Sequence, residues 1–156
     1  MLDRDLYLRR ADHVLTSVQD GQTVSYSYDI PAPSTRTVTY PGGRAITESM
    51  DLRSRLSQID DVSSTPPIVT YSYDAGNRVL TRDYRNGTSA RYAYNDNNWI
   101  IDLQHNFGAT AVDGFAYPLY DNEGNKQCEN KLQDVTHSEA YQYDAIYRLT
   151  NYALGP

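Results

Sequence analysis

The residues of this chain that could do chemistry are aspartates that directly follow a tyrosine. Such pairs end at Asp29, Asp74, Asp121 and Asp144. Two carboxylates that flank one bond are the catalytic pair of glycoside hydrolysis, so an enzyme is one interpretation. An active site would set one such pair apart from the others, but here the pair returns along the whole chain, and no polar cluster stands apart from this repetition. The pattern therefore favours a scaffold, and we expect no enzyme and no catalytic residue.

The remaining candidate residues predict no metal or cofactor site. Cys128 is the only cysteine, so it has no partner for an internal disulfide, and we expect an inert thiol. His13, His105 and His137 lie in unrelated contexts, and no Cys/His spacing resembles a zinc site. No glycine-rich phosphate loop is present. The net charge of −6 argues against a nucleic-acid partner, because such surfaces cluster Lys and Arg.

The Tyr-Asp pair belongs to a sequence repeat. The segments Tyr71–Leu80 and Tyr141–Thr150 share two tyrosines, an Asp, a short turn, and then Arg with an aliphatic residue. Weaker copies recur every 21–26 residues, which is the spacing of a stacked array. We therefore predict one array of about seven units over residues 1–156. The motif residues are Tyr28, Asp29, Asp51, Arg55, Tyr73, Asp74, Arg78, Tyr94, Asn95, Tyr120, Asp121, Tyr143, Asp144 and Arg148.

Each motif residue has an expected structural role. The Asp, or Asn95 in its place, can accept a hydrogen bond from the backbone N–H two residues on. The Arg can lie over a tyrosine ring or reach an Asp. The tyrosine ring can pack against the next unit. The pairs Gly76-Asn77 and Gly124-Asn125 supply residues that tolerate a positive φ.

The elements that position the motif are predicted to be β-hairpins. Gly21, Gly43 and Gly87 each lie seven residues before a motif position, and β-forming residues alternate on both sides of them. We expect turns at Asp20-Gly21, Gly42-Gly43 and Asn86-Gly87. A two-residue turn at Asn86-Gly87 would place Arg82 opposite Arg91. The predicted fold class is all-β, with repeated antiparallel β-hairpins that form a curled sheet.

Four segments depart from this regular pattern. Residues 60–67 read as a surface loop, with a linker between two halves of the chain as the alternative, and Pro31 and Pro33 are expected to interrupt strand pairing. Residues 106–114 read as a glycine-containing loop that holds the surplus of the 26-residue unit. Residues 126–138 are predicted to be strand and loop, with a helical turn at 129–134 as the alternative.

The segments Tyr71–Val79 and Tyr141–Leu149 resemble the YD repeats of the Rhs (rearrangement hotspot) and teneurin-like family, as do Tyr40–Arg44 and Tyr120–Lys126. The resemblance implies a section of a β-spiral shell, a hollow wall that often surrounds a toxin in secreted or surface-displayed bacterial proteins. Its partners would be the rest of a larger YD-repeat protein or its cargo. The family's self-cleaving aspartates have no counterpart here, so neither autoproteolysis nor a toxin is carried over.

The alternative function is a carbohydrate-binding array built from aromatic hairpin repeats, with a glycan as the partner. Such arrays expose Trp and Tyr as sugar platforms, whereas this chain has one Trp and 15 Tyr that alternate into strands. No signal peptide or membrane span is predicted. The expected location is extracellular or at the cell surface as part of a larger protein, and otherwise cytoplasmic. A section of a shell would expose its end strands, so we expect the isolated chain to associate, to expose an adhesive edge or to unfold easily.

Overall fold

A computed structural model describes residues 4–10, 13–29 and 34–155, and for residues 4–10 only the backbone is considered. The predicted all-β class is confirmed, since the described residues contain β-strands and a single 3₁₀ turn at Val135–His137. The strands are β1 (Arg4–Arg10), β2 (His13–Gln19), β3 (Gln22–Asp29), β4 (Thr35–Thr39), β5 (Ala45–Met50), β6 (Leu56–Asp61), β7 (Val69–Tyr73), β8 (Val79–Tyr84), β9 (Thr88–Tyr94), β10 (Ile100–Phe107), β11 (Thr110–Ala116), β12 (Cys128–Lys131), β13 (Glu139–Tyr143) and β14 (Leu149–Leu154).

The strands follow one another as antiparallel hairpins, and the order of hydrogen-bonded neighbours is the order of the chain. Contacts divide the chain into two compact units, residues 1–71 and residues 72–156, which are called unit 1 and unit 2 below. The single array over 1–156 stays a prediction.

Unit 1 shows why the sequence forms hairpins. Gln19 pairs with Gln22 across a two-residue turn in which Asp20 and Gly21 both have positive φ, 51° and 73°. Two positive φ values are the requirement of a type I′ turn, which Asp-Gly satisfies. Between β4 and β5, the Arg36 guanidinium meets the Glu48 carboxylate at 2.6 Å. This cross-strand ion pair fixes the register of the hairpin.

The hairpin of β8 and β9 in unit 2 corrects one prediction. Arg82 lies opposite Ala90, not opposite Arg91, so the expected register is wrong by one residue. The Gly87 N–H donates to the Tyr84 carbonyl at 3.0 Å, and Gly87 has a φ of 84°. The loop therefore has three residues, and its last residue is the left-handed glycine of a G1 bulge.

Two predicted loops are shorter than expected. Residues 106–114 are mostly strand, because β10 continues to Phe107 and β11 begins at Thr110. The predicted surplus loop at this point is therefore wrong. The predicted loop at 60–67 is wrong at its start, since β6 extends to Asp61 and the turn residues follow it.

The remaining two segments are residues 126–138 and the proline pair. Residues 128–131 form the strand β12, as favoured, and the 3₁₀ turn lies later, at Val135–His137. Pro31 and Pro33 lie outside the described residues.

The described residues contain little dry core. Val38, Val69 and Ala90 are the buried apolar residues in the part of the chain that the structure describes, and no large side chain there is fully buried. A sheet with two partly wet faces cannot rely on core burial alone. Its strands must be fixed by backbone pairing and by the turns that join them.

Candidate functional site: repeated Asp and Asn turns

Five turns share one backbone geometry. Each begins at an Asp or Asn, here called the Asx. In each turn the Asx N–H donates to the carbonyl four residues on, at 2.8–3.1 Å. The N–H three residues on donates back to the Asx carbonyl, at 2.9–3.2 Å. The five Asx residues are Asp51 in unit 1 and Asp74, Asn95, Asp121 and Asp144 in unit 2.

The Asx side chain accepts backbone hydrogen bonds from residues of its own turn. In Asp121, for example, Oδ1 accepts the N–H of Glu123 at 3.1 Å and that of Asn125 at 2.8 Å. Asn95 does the same for the residues two and four positions on, at 3.0 Å each. An amide can replace a carboxylate here because both offer an oxygen acceptor to backbone donors. The expected local hydrogen bond is therefore present, with a second one beside it.

The third residue after each Asx has a left-handed backbone. Its φ values are 59° at Ser54, 67° at Asn77, 66° at Asn98, 88° at Gly124 and 63° at Tyr147. This position must reverse the chain, so it disfavours β-branched residues. Of the predicted pairs, Gly76-Asn77 uses its Asn and Gly124-Asn125 uses its Gly.

The fourth residue after the Asx, called the junction residue, completes the turn. Where it is arginine, its Nε donates to the Asx Oδ2: Arg55 at 2.7 Å, Arg78 at 2.6 Å and Arg148 at 2.7 Å. Asn125 uses its amide for the same bond, at 2.7 Å. At Asn95, the one Asx that is an asparagine, the junction residue is Trp99.

These hydrogen bonds stabilise the ionised aspartates. The Arg55 side chain is the largest cause of the lowered pKa of Asp51. The backbone N–H of Arg78 is the largest cause at Asp74, and the side-chain amide of Asn125 is the largest cause at Asp121. A lowered pKa keeps these carboxylates ionised at neutral pH, where they hold the turns rather than exchange protons.

Within unit 2, the tyrosine of one motif is joined to the turn of the motif before it. Tyr94 donates its hydroxyl proton to the Val79 carbonyl at 2.9 Å, and Tyr120 donates to the Ile100 carbonyl at 2.5 Å. Tyr143 donates to the Lys126 carbonyl at 2.9 Å. Each acceptor lies five residues after the previous Asx, so the three contacts are equivalent. Burial raises the pKa of Tyr94 and of Tyr120, which keeps both hydroxyl groups protonated as donors.

The junction residue also reaches the next turn. Arg78 Nη1 donates to the Asn95 carbonyl at 3.0 Å and to Asn98 Oδ1 at 2.9 Å, while its guanidinium lies over the Tyr94 ring at 4.8 Å. Trp99 packs on Tyr120, with ring centroids 5.1 Å apart. Arg78 therefore does both of the things expected of a motif arginine.

In unit 1 the predicted residues are less closely assembled. Tyr28 packs edge-on against His13 with ring centroids 4.5 Å apart, beside a cavity of about 340 Å³ that Arg36, Glu48 and Met50 also line. The two charged groups of that cavity are paired with each other.

The remaining motif residues end strands, and the turn glycines lie between strands. Asp29 ends β3, and the loop that follows it is outside the described residues. Tyr73 ends β7. The turn glycines Gly21, Gly43 and Gly87 all have positive φ.

The structure assembles one polar cluster that the sequence analysis missed. Lys126 Nζ lies over the rings of Tyr117 and Tyr141, at 5.1 and 4.8 Å, and pairs with Glu129 at 2.5 Å. Lys131 pairs with Glu139 at 2.6 Å, and Tyr141 donates to the same Glu139. Burial, followed by that hydrogen bond, raises the pKa of Tyr141. Only the β12–β13 pairing, which sets Glu129 opposite Glu139, could have revealed this cluster.

Two further limits hold for the described residues. They contain no group of three or more potential metal ligands. No helix among them has the length and apolarity needed to cross a membrane.

Comparison with known proteins places the fold. No protein-family model and no curated protein matches this sequence. Solved structures do: "Crystal Structure of TcdB2-TccC3-Cdc42" matches with a TM-score of 0.69 at 19% identity, over 85% of this chain and 7% of that chain. "Structure of Photorhabdus luminescens Tc holotoxin pore, Mutation TccC3-D651A" matches with a TM-score of 0.65 at 16% identity, over 87% and 8%. "Crystal Structure of TcdB2-TccC3-TEV" matches with a TM-score of 0.62 at 16% identity, over 86% and 8%.

This chain thus spans less than a tenth of the length of the chains it matches. At 16–19% identity the likeness concerns the fold, and it supports the Rhs-like architecture of repeated hairpins that the YD-repeat resemblance implied.

Proposed function

We propose that this chain is a non-catalytic structural module, a section of the wall of a YD-repeat shell that encloses or displays a toxin or other cargo. The observation that carries the proposal is the equivalence of the three junctions in unit 2. At each, a tyrosine hydroxyl meets a carbonyl five residues after the previous Asx. Stacked repeats are stabilised by such nearest-neighbour contacts, which extend an array without a specialised centre.

The electrostatics support a structural role. The carboxylates of Asp51, Asp74 and Asp144 are each bonded to an arginine of the same turn. General acid–base catalysis needs a group with a pKa near the working pH, whereas these pKa values are lowered. In the Lys126 cluster both lysines are engaged with glutamates. These polar groups therefore stabilise the turns and the pairing of neighbouring strands.

The proposed partners are the rest of a larger YD-repeat protein and its cargo, and the proposed location is extracellular or at the cell surface. The solved structures that share this fold are those of TcdB2-TccC3-Cdc42, of TcdB2-TccC3-TEV and of a Tc holotoxin pore. A glycan is not the partner that we propose, because the single Trp99 packs against Tyr120 instead of standing free as a sugar platform.

Electron cryo-microscopy of the complete polypeptide that contains this sequence tests the proposal. We expect residues 13–29 and 34–155 to lie in the wall of a closed shell, with cargo density on one side of the sheet. Protease treatment before and after opening the shell with mild denaturant provides a second measurement. The proposal predicts that the cargo is cut only after opening. A polypeptide without an enclosed volume would contradict it.

A further inference from the structure

Each turn of unit 2 offers the same two contacts to the motif that follows it. The first is the junction residue, which is Arg78, Trp99, Asn125 or Arg148. The second is the carbonyl of the next residue, called the junction carbonyl. Three junction carbonyls, those of Val79, Ile100 and Lys126, accept a tyrosine hydroxyl. The fourth junction carbonyl is that of Leu149.

At the first two junctions of unit 2, the junction residue is matched to the left-handed residue of the next turn. Arg78 needs an acceptor, and it finds the Asn98 side chain at 2.9 Å. Trp99 needs space, and Gly124 provides it: a Cβ on Gly124 would lie 3.0 Å from the Trp99 ring. The pairing of arginine with asparagine and of tryptophan with glycine follows from charge in one case and from volume in the other.

The last turn presents this surface without an occupant among the described residues. The Arg148 side chain is 74% exposed, and its Nε is held by Asp144. All six residues of β14 are exposed, including Leu149, Tyr152 and Leu154. Within the described part of the chain, β14 has β13 as its hydrogen-bonded neighbour. The surface that is covered at the earlier turns is open here.

We propose that Arg148, the Leu149 carbonyl and the exposed face of β14 form a docking site for a Tyr-Asx hairpin with asparagine at the third position after the Asx. The site continues the junctions inside unit 2. The positive guanidinium selects a turn that presents carbonyl and amide oxygens, as the turn at Asn95 does for Arg78. The occupant's tyrosine ring would cover the apolar side chains of β14. This inference rests on the proposed function and specifies its partner.

The test uses the 156-residue chain and a synthetic probe. The probe is a head-to-tail cyclised peptide with the sequence of residues 88–107, which carries Tyr94 and Asn98, because an uncyclised hairpin is only marginally stable. We expect saturable NMR shifts of the Arg148 side chain and the β14 amides of the labelled chain. Peptides with Tyr94→Phe or Asn98→Ala should bind about five-fold more weakly, the effect of one hydrogen bond.

An exchange of specificity separates recognition from general stickiness. The chain variant Arg148→Trp should prefer the Asn98→Gly peptide to the original peptide, and the original chain should show the reverse order. Arg91→Met is the matched control, since Arg91 is an exposed arginine of unit 2 that pairs with Asp83 away from β14. This variant should leave the affinity unchanged. The peptide variants cannot alter the folding of the chain, so they keep the test valid if Arg148→Trp fails to fold.

The proposal is overturned if the β14 signals do not move, or if the peptide variants bind equally well. Shifts of β14 that depend on chain concentration and that excess peptide does not displace would identify a second copy as the occupant and would also overturn it. The result is separable from the proposed function. If the chain lies in a shell wall but binds no peptide, only the docking site is contradicted. If the chain binds the peptide but lies outside any shell, only the proposed function is contradicted.

Discussion

At the scale of single residues, the left-handed position of each turn makes two demands, one on backbone conformation and one on space. Gly43 and Gly124 have nearly the same φ, 87° and 88°. A Cβ on Gly43 meets no atom within 4 Å, whereas one on Gly124 lies 3.0 Å from the Trp99 ring. An alanine at Gly43 would therefore be strained in its backbone only, whereas an alanine at Gly124 would also collide with the Trp99 ring.

We predict that Gly43→Ala lowers the free energy of unfolding by about 1–2 kcal/mol, the cost of a left-handed alanine. Gly124→Ala should cost about 1–3 kcal/mol more, because the Trp99 ring must move. Chemical denaturation measures both. The double variant Trp99→Ala/Gly124→Ala should show less than the sum of the single losses. Equal losses for the two glycine variants would show that the Trp99 contact does not constrain Gly124.

The chain also contains its own control for the role of charge in the turns. Asp121 and Asn95 accept the same backbone hydrogen bonds, but only Asp121 titrates. Its pKa is lowered, chiefly by the Asn125 side chain, so the folded turn binds fewer protons than the unfolded chain in acid. The stabilisation is complete above the unfolded pKa of about 3.9 and is lost as the pH falls through the folded pKa.

NMR titration of the backbone amides tests this difference. We predict that the Asn125 N–H shift moves with a midpoint below about 3.9, the unfolded Asp pKa, while the Trp99 N–H shift, whose acceptor is an amide, stays constant. The Asp121→Asn variant should remove the Asn125 transition and keep the turn. A Trp99 transition equal to that of Asn125 would mean that global acid unfolding, and not the carboxylate, is being observed.

At the scale of elements, the hairpins are joined by tyrosine hydroxyl groups as well as by strand pairing. We predict that Tyr94→Phe and Tyr143→Phe each lower the free energy of unfolding by about 1 kcal/mol, because each leaves a backbone carbonyl without its donor. Tyr84→Phe is the control, since Tyr84 is 39% exposed, and it should change stability by less than about 0.5 kcal/mol. Thermal or urea unfolding measures the difference. Equal effects at the three positions would contradict the role of the hydroxyl contacts.

The sequence predicted elements better than it predicted their register. Asp20-Gly21 forms the expected two-residue turn because both residues take positive φ. Asn86-Gly87 looks equivalent in sequence, but only Gly87 takes a positive φ, so the loop gains a residue and the facing pairs shift by one. The choice between these turns depends on the contacts of the flanking strands. A dipeptide therefore does not determine it.

The candidate site was predictable where it repeats and hidden where it varies. The Asp and Arg of each motif could be read from spacing, because the same local hydrogen bonds recur. The role of Trp99 was missed because two residues of its turn differ from the motif at once. Trp99 replaces the arginine and Asn95 replaces the aspartate, and only the structure shows that the two replacements belong to the same turn. The Lys126 cluster was missed because its members come from separate strands whose pairing the sequence does not state.

At the scale of the whole molecule, stability is distributed along the chain. With few buried apolar residues in its described part, the chain depends on contacts between neighbouring hairpins. Such arrays behave as a series of coupled local units rather than as one core. Because contacts group into residues 1–71 and residues 72–156, we predict that the two units unfold in separate transitions.

The single tryptophan makes this prediction testable, since Trp99 lies in unit 2. Its fluorescence should report one transition in urea, while far-UV circular dichroism, which senses strands of both units, should report a broader or two-step change. Gly124→Ala should shift the fluorescence transition, which reports on unit 2. Gly43→Ala lies in unit 1, so it should shift part of the dichroism change and leave the fluorescence transition where it is. Coincident curves that both variants shift together would show that the chain unfolds as one cooperative body, because separate transitions require that each variant acts on its own unit.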